Sequence, residues 1–195
     1  MSVGLLLISD GRHEYHSRSY ASVIEHLPKF DQYIHVEDPD HTLGFAGAIQ
    51  HGWSQAETDW LVHWEADFVV DRPVPIDDMI TVLHTHPYLV QMALLRGPVN
   101  AAERAAGGII QQHPESYELT EWDGVRWIEH RRFVTTNPCV WPRWVIDRGW
   151  PQRSESEGRF GISLFAENPD YRSGFWGDGR VWVDHIGVAR AGTGY

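Results

Sequence analysis

Apolar and polar residues alternate in blocks along the first half of the chain, and the blocks predict a repeating order of elements. Val3 to Ser9 is a short continuous apolar run closed by the turn Ser9-Asp10-Gly11-Arg12, which suits a strand buried on both faces. Tyr20, Val23, Ile24 and Leu27 recur at helical spacing until Pro28 closes the segment. Phe30 to Val36 reads as a second strand, stopped by Glu37-Asp38-Pro39-Asp40. Phe45, Ile49 and Trp53 make the apolar stripe of a second helix. Residues 60–70, WLVHWEADFVV, read as a third strand into which Glu65 and Asp67 intrude. Ile76, Met79, Ile80 and Leu83 form a third helix, with Pro75 before it and Asp77 and Asp78 in its first turn, where acids suit the macrodipole. Tyr88 to Leu95 is a further strand.

Strands alternating with helices over residues 1–95 predict an α/β architecture with a mostly parallel sheet. The second half is less regular. Residues 96–115 are rich in Ala and Gly, and 116–130 alternate like a hairpin with Asp123-Gly124 as its turn. Residues 131–151 suggest a strand followed by a short helix after Pro142. Without repeats, linkers or low-complexity segments, the expectation is one domain over 1–195, built from halves 1–95 and 96–195.

Composition narrows the function classes. At 195 residues, 42% hydrophobic and 22% charged, the chain can bury a real core without disulfides. Its formal net charge of −11 disfavours broad gripping of a nucleic-acid backbone, which needs Lys and Arg. Cys139 is the single cysteine, so neither an internal disulfide nor a cysteine-based zinc cluster can form. The first apolar run is too short for a signal peptide, and no stretch approaches the roughly 20 apolar residues of a membrane span. A soluble, cytoplasmic protein without a membrane partner is expected. Ten tryptophans are many for this length, and packing should claim most of them.

In an open parallel sheet, ligands bind at the carboxyl ends of the strands. The three predicted strand ends are Ser9-Asp10-Gly11-Arg12, Glu37-Asp38 and Glu65-Ala66-Asp67, and all three carry acids. Turn chemistry explains any one of them. It explains Glu65 and Asp67 least, because the apolar run resumes after them. On an extended segment two acids separated by one residue point the same way and can share a hard cation such as Mg²⁺ or Mn²⁺. Other candidates have plainer explanations. Arg131 and Arg132 suit solvent, and on a helix the rings of His84 and His86 diverge.

The order of strand, SDGR turn, strand ending in Asp38, GFAGAIQHGW helix and strand ending in EAD resembles the nucleotide-sugar half of family-two glycosyltransferases of the GT-A fold. The resemblance, over most of 3–71 and 133–187, is strongest to short bacteriophage-encoded members. It implies a GT-A-like, Rossmann-like three-layer sandwich with an acceptor half at the C-terminus. It further implies that Ser9, Asp10, Gly11, Arg12, Asp38, Glu65 and Ala66 hold the nucleotide sugar. Asp67 matches the metal-binding acid of the Asp-x-Asp motif, with Glu65 in place of the first Asp, and His185 in VDHIG matches the histidine that completes the metal site. Glu157, with Glu155 beside it and Gly158 where the family has Asp, matches the general base. Trp150 in RGWP would line the acceptor site.

The activity the resemblance implies is inverting transfer of a sugar from a nucleoside-diphosphate sugar (UDP favoured) to an acceptor hydroxyl, with Mn²⁺ or Mg²⁺. A virion protein, a small molecule or a modified DNA base would serve as acceptor. Two rival classes remain beside it. One is another Mg²⁺- or Mn²⁺-dependent nucleotide enzyme, a nucleotidyltransferase or phosphohydrolase, although Lys29 is the only lysine available for a phosphate loop. The other is a non-catalytic carbohydrate-binding protein, suggested by the tryptophans.

Overall fold

The computed structural model describes residues 1–99, 101 and 110–187. In chain order its elements are β1 (Val3–Ser9), α1 (His13–His26), β2 (Gln32–Glu37), α2 (Gly44–Ser54), β3 (Trp60–Glu65), β4 (Phe68–Val69), α3 (Ile76–Thr85), β5 (Leu89–Ala93) and β6 (Arg96–Gly97). There follow β7 (Tyr117–Trp122), β8 (Val125–His130), β9 (Cys139–Pro142), α4 (Arg143–Ile146), α5 (Ser156–Glu167), β10 (Arg172–Trp176) and β11 (Val183–His185). Most of the Ala/Gly-rich stretch around 100–109 lies outside the described residues.

Eight strands form one sheet in the order β2-β1-β3-β9-β5-β10-β8-β7, and β4-β11-β6 form a small second sheet. The expected parallel order holds for β2, β1 and β3, and again where β10 joins β5. Between these groups β9 enters antiparallel to both neighbours. A strand from the second half thus separates β3 from β5, which sequence order alone would have placed together. The β7–β8 hairpin turns at Asp123 and Gly124, both at positive φ (49° and 78°), as the Asp-Gly pair predicts.

Helices cover both faces, giving three layers. One face packs Leu5, Leu7, Val62 and Trp64 against Val23 of α1 and Met79, Ile80 and Leu83 of α3. The other packs Leu6, Ile34 and Leu61 against Ile49 and Trp53 of α2 and Phe160 and Leu164 of α5. Burial of each such side chain contributes about 1.5–3 kcal/mol. Contact is close enough that a Cβ at Gly52 of α2 would meet Leu6 Cδ2 at 2.7 Å, so Gly52→Ala would push α2 off β1. Trp53, Trp141, Trp150 and Phe160 pack edge to face, which bears out packing as the use of these tryptophans. Among the described residues no helix is long and apolar enough to cross a membrane.

One expectation needs correction. Residues 60–70 are not one strand: β3 ends at Glu65, Ala66 and Asp67 form a turn, and β4 starts a different sheet at Phe68. The apolar run continues because both strands are buried, and burial alone does not reveal a change of sheet.

Candidate active site

The three predicted strand ends do converge. Ser9 pairs with Glu37, and Ile8 pairs with Glu65. Just beyond the ladders, Asp38 N–H donates to Ser9 O and Ala66 N–H to Ile8 O, each at 2.8 Å. Because α1 lies over one face and α2 over the other, the edge between β1 and β3 is a topological switch point. Ser9 and Ala66 are buried there as walls, and Ser9 Oγ accepts from Gly11 N–H at 3.2 Å. Gly11 has φ 81°, and a Cβ on it would lie 2.5 Å from Pro39 Cβ, so this turn admits glycine alone.

Asp67 is the hub of the first cluster. Arg12 Nη2 donates to Asp67 Oδ2 at 3.0 Å, while Arg12 Nε donates to Asp10 Oδ2 at 2.7 Å. The guanidinium also lies 4.5 Å from the centre of the Tyr15 ring. His185 Nε2 is 3.2 Å from the same Asp67 oxygen. Strand pairing brings them together: His185 stands opposite Phe68 in the β4–β11 ladder, and Ile186 N–H donates to Asp67 O at 2.8 Å. Gly187 lies so close that a Cβ there would overlap the Asp67 carboxylate. Burial works to raise the Asp67 pKa, but His185 and Arg12 outweigh it and hold the pKa below its ordinary value. Its second oxygen, Oδ1, is buried without a hydrogen-bond partner among the described residues.

Asp38 is 4% exposed, and its carboxylate is spent on the chain. It accepts from the N–H groups of Thr42 (2.8 Å), Leu43 (3.1 Å) and Gly44 (2.9 Å) and from the Thr42 hydroxyl (3.1 Å). Burial raises its pKa, and these bonds together more than reverse that, leaving it lowered. Asp38 therefore anchors the start of α2, and direct contact with a nucleotide is not available to a carboxylate so engaged.

Glu65 joins a different group. Its Oε1 lies 3.6 Å from His63 Nε2, on the face covered by α2 and α5. Both His63 ring nitrogens and Glu65 Oε1 are buried without hydrogen-bond partners among the described residues. Glu157, in the first turn of α5, accepts from Thr136 N–H at 2.6 Å. Burial, reinforced by the nearby charge of Glu65, pushes the Glu157 pKa up to about 7 despite that bond. The Thr136 loop is itself held by Gln91, whose amide donates to Thr135 O (2.9 Å) and accepts from Thr135 N–H (2.8 Å). Ser156, beside Glu157, accepts from the Trp150 indole N–H at 2.9 Å. Trp150 is 3% exposed, which corrects its expected place at the acceptor: its ring belongs to the core.

The expectation that Glu65 joins Asp67 and His185 is likewise corrected. The turn at Ala66-Asp67 cancels the period-two alignment on which it rested. Among the described residues no group of three His, Cys, Asp or Glu side chains gathers around a point that could hold a metal ion. Asp67 and His185 alone still fit a divalent cation. Neighbouring ligands about 2.1 Å from one ion lie about 3 Å apart, and Mg²⁺ takes its other ligands from phosphate and water. His185 Nε2 stands 3.2 Å from Asp67 Oδ2, an oxygen that Arg12 also engages, and the orphaned Oδ1 leaves Asp67 a second oxygen for a ligand. His63 and Thr136 went unremarked in the sequence. A histidine inside an otherwise apolar strand and the polar Thr-Thr-Asn before buried Cys139 were the available signals.

No family model and no curated protein matches this sequence. Solved structures match it in fold. The crystal structure of S. aureus TarS 1–349 with UDP is 11% identical, with a TM-score of 0.60 over 94% of this chain and 60% of that one. TarS 1–349 with UDP-GlcNAc gives 12% identity and 0.59, covering 98% of this chain and 62% of that one. The mannosyltransferase PcManGT from Pyrobaculum calidifontis, in complex with GDP-Man and Mn²⁺, gives 11% and 0.62, covering 97% and 58%. The chain thus spans about three-fifths of the length of these proteins, and it shares with them the GT-A-like α/β fold.

Proposed function

We propose that this protein is a glycosyltransferase that moves a sugar from a nucleoside-diphosphate donor to an acceptor hydroxyl. The observation that carries the reading is the pair of unlike carboxylates on the two sides of the end of β3, Asp67 in the turn after it and Glu157 close enough to Glu65 to feel its charge. Arg12 and His185 keep Asp67 ionised, whereas Glu157 is poised to gain and lose a proton near neutrality. The solved structures of similar fold, which hold UDP, UDP-GlcNAc or GDP-Man with Mn²⁺, support the same reading.

Glu157 takes the proton of the attacking hydroxyl. A base whose pKa lies near the working pH combines readiness to accept with adequate strength. Thr136 N–H holds one of its oxygens in place. Asp67 and His185 would hold a divalent cation. When bound, that ion stabilises the charge that develops on the diphosphate leaving group. Arg12 stands beside them with a planar fork suited to phosphate oxygens. Ser9, Gly11 and Ala66 shape the floor for the nucleotide, and Asp38 contributes by holding residues 42–44. Holding donor and acceptor in line favours direct displacement with inversion at the anomeric carbon. A UDP-sugar is the preferred donor, and the net negative charge favours a protein or small-molecule acceptor over DNA.

A donor-hydrolysis screen across nucleotide sugars, with and without Mn²⁺, tests the proposal directly. Sugar release should appear with one donor, need the metal, and vanish in Asp67→Asn. Melting curves that move with no nucleoside diphosphate would sink it.

A further inference from the structure

We infer that Arg12 is a latch on the cation site: without nucleotide its guanidinium sits on the Asp67 carboxylate, and a nucleoside diphosphate draws it away before a divalent ion binds. The inference rests on the glycosyltransferase reading and adds an order of binding to it.

Asp67 Oδ2 is the oxygen best placed for an ion shared with His185, yet it already accepts from Arg12 Nη2 at 3.0 Å. An ion bound there would face a guanidinium within a few ångströms, and two positive charges sharing one carboxylate repel. The latch is also built to swing. Arg12 is tethered by Nε to Asp10 (2.7 Å) and by its face to Tyr15 (4.5 Å), whereas the Nη2 end reaches Asp67 through a single bond. Moving that end breaks one contact and leaves two in place. An incoming diphosphate offers the freed N–H groups stronger acceptors, because charge-assisted bonds to phosphate match the fork of arginine. It also brings the negative charge that an ion then shares with Asp67. A lysine would not serve equally, since its point charge lacks the separate Nε and Nη positions.

Mn²⁺ binding to the whole chain, followed by loss of the free-ion electron paramagnetic resonance signal, tests this without any turnover. Wild type should take up Mn²⁺ weakly alone and at least about tenfold more tightly with the nucleoside diphosphate identified by the donor screen. Arg12→Gln should bind Mn²⁺ alone at least about tenfold more tightly than wild type, and bind the nucleotide more weakly. Arg12→Lys, should Gln prevent folding, must also bind the lone ion more tightly than wild type. Unchanged or weaker Mn²⁺ binding by the folded variants, in a protein whose wild type still binds ion plus nucleotide, overturns the latch alone. Absence of Mn²⁺ binding by wild type with every nucleoside diphosphate overturns the glycosyltransferase reading, and the latch with it.

Discussion

Glu65 and Asp67 are separated by one residue, yet they live in opposite electrostatic surroundings. Asp67 lies among Arg12 and His185, which depress its pKa against the cost of burial. Glu65 lies beside His63 and close enough to Glu157 for its charge to raise that neighbour's pKa. The cause is the turn at Ala66-Asp67, which ends β3 and sends the chain into the small sheet. One cluster is arranged to keep negative charge and attract cations. The other is arranged to make negative charge costly, which suits the role of base proposed for Glu157.

The sharpest way to break this contrast is Glu157→Gln. Transfer should fall by about 10²–10⁴-fold, with nucleoside-diphosphate affinity unchanged, as read in steady-state kinetics and calorimetry. The same variant carries a stability signature. An acid whose folded pKa is raised from 4.5 to about 7 costs stability as pH rises between those values. Glu157→Gln should therefore be more stable than wild type at pH 8, by up to roughly 3 kcal/mol, with the gain gone below pH ~4. Chemical denaturation at the two pH values would show it, and an equal gain at both would mean that Glu157 is not buried as a charge.

Asp67→Asn tests the other cluster. Metal-dependent nucleotide binding should weaken by about 10–100-fold, the loss expected for one charged contact. Asp38→Asn should spare the metal and cost about 1 kcal/mol of stability at pH 7, because the anchor of α2 is weakened. A depressed carboxylate stabilises above its unfolded pKa of about 3.8, and that benefit is lost as pH falls through the lower folded value, so the two melting curves should converge in strong acid. The smallest effect belongs to Glu65→Gln. It should leave Mn²⁺ affinity intact and shift the acid limb of the pH–rate profile downward, because a charge that raises the Glu157 pKa is gone. Loss of Mn²⁺ binding in this variant would restore Glu65 to the metal site and erase the contrast.

Much of the placement of the candidate site was legible in the sequence. Strand ends carrying Asp10, Asp38 and the Glu65–Asp67 pair pointed to one edge, and pairing of Ser9 with Glu37 and of Ile8 with Glu65 puts them there. The meeting of Asp67 with His185 joins residues 118 positions apart and was foreseen only through a family resemblance. Roles that depend on side-chain direction were not legible. Asp38 turned inward to three backbone N–H groups, and Trp150 turned into the aromatic core. Asp and Trp serve caps and cores as readily as ligands, and residue type does not separate these uses.

The sequence by itself determined most elements of the first half: a period of two or of 3.6 in apolar residues follows from local backbone geometry, and Gly11 and Asp123-Gly124 mark turns by their own conformational freedom. Tertiary structure alone decided that β9 separates β3 from β5, that residues 66–67 are a turn between sheets, and that Arg12 crosses to Asp67. Each of these is a contact between distant segments, and its free energy depends on what surrounds both partners at once. No local pattern carries that information.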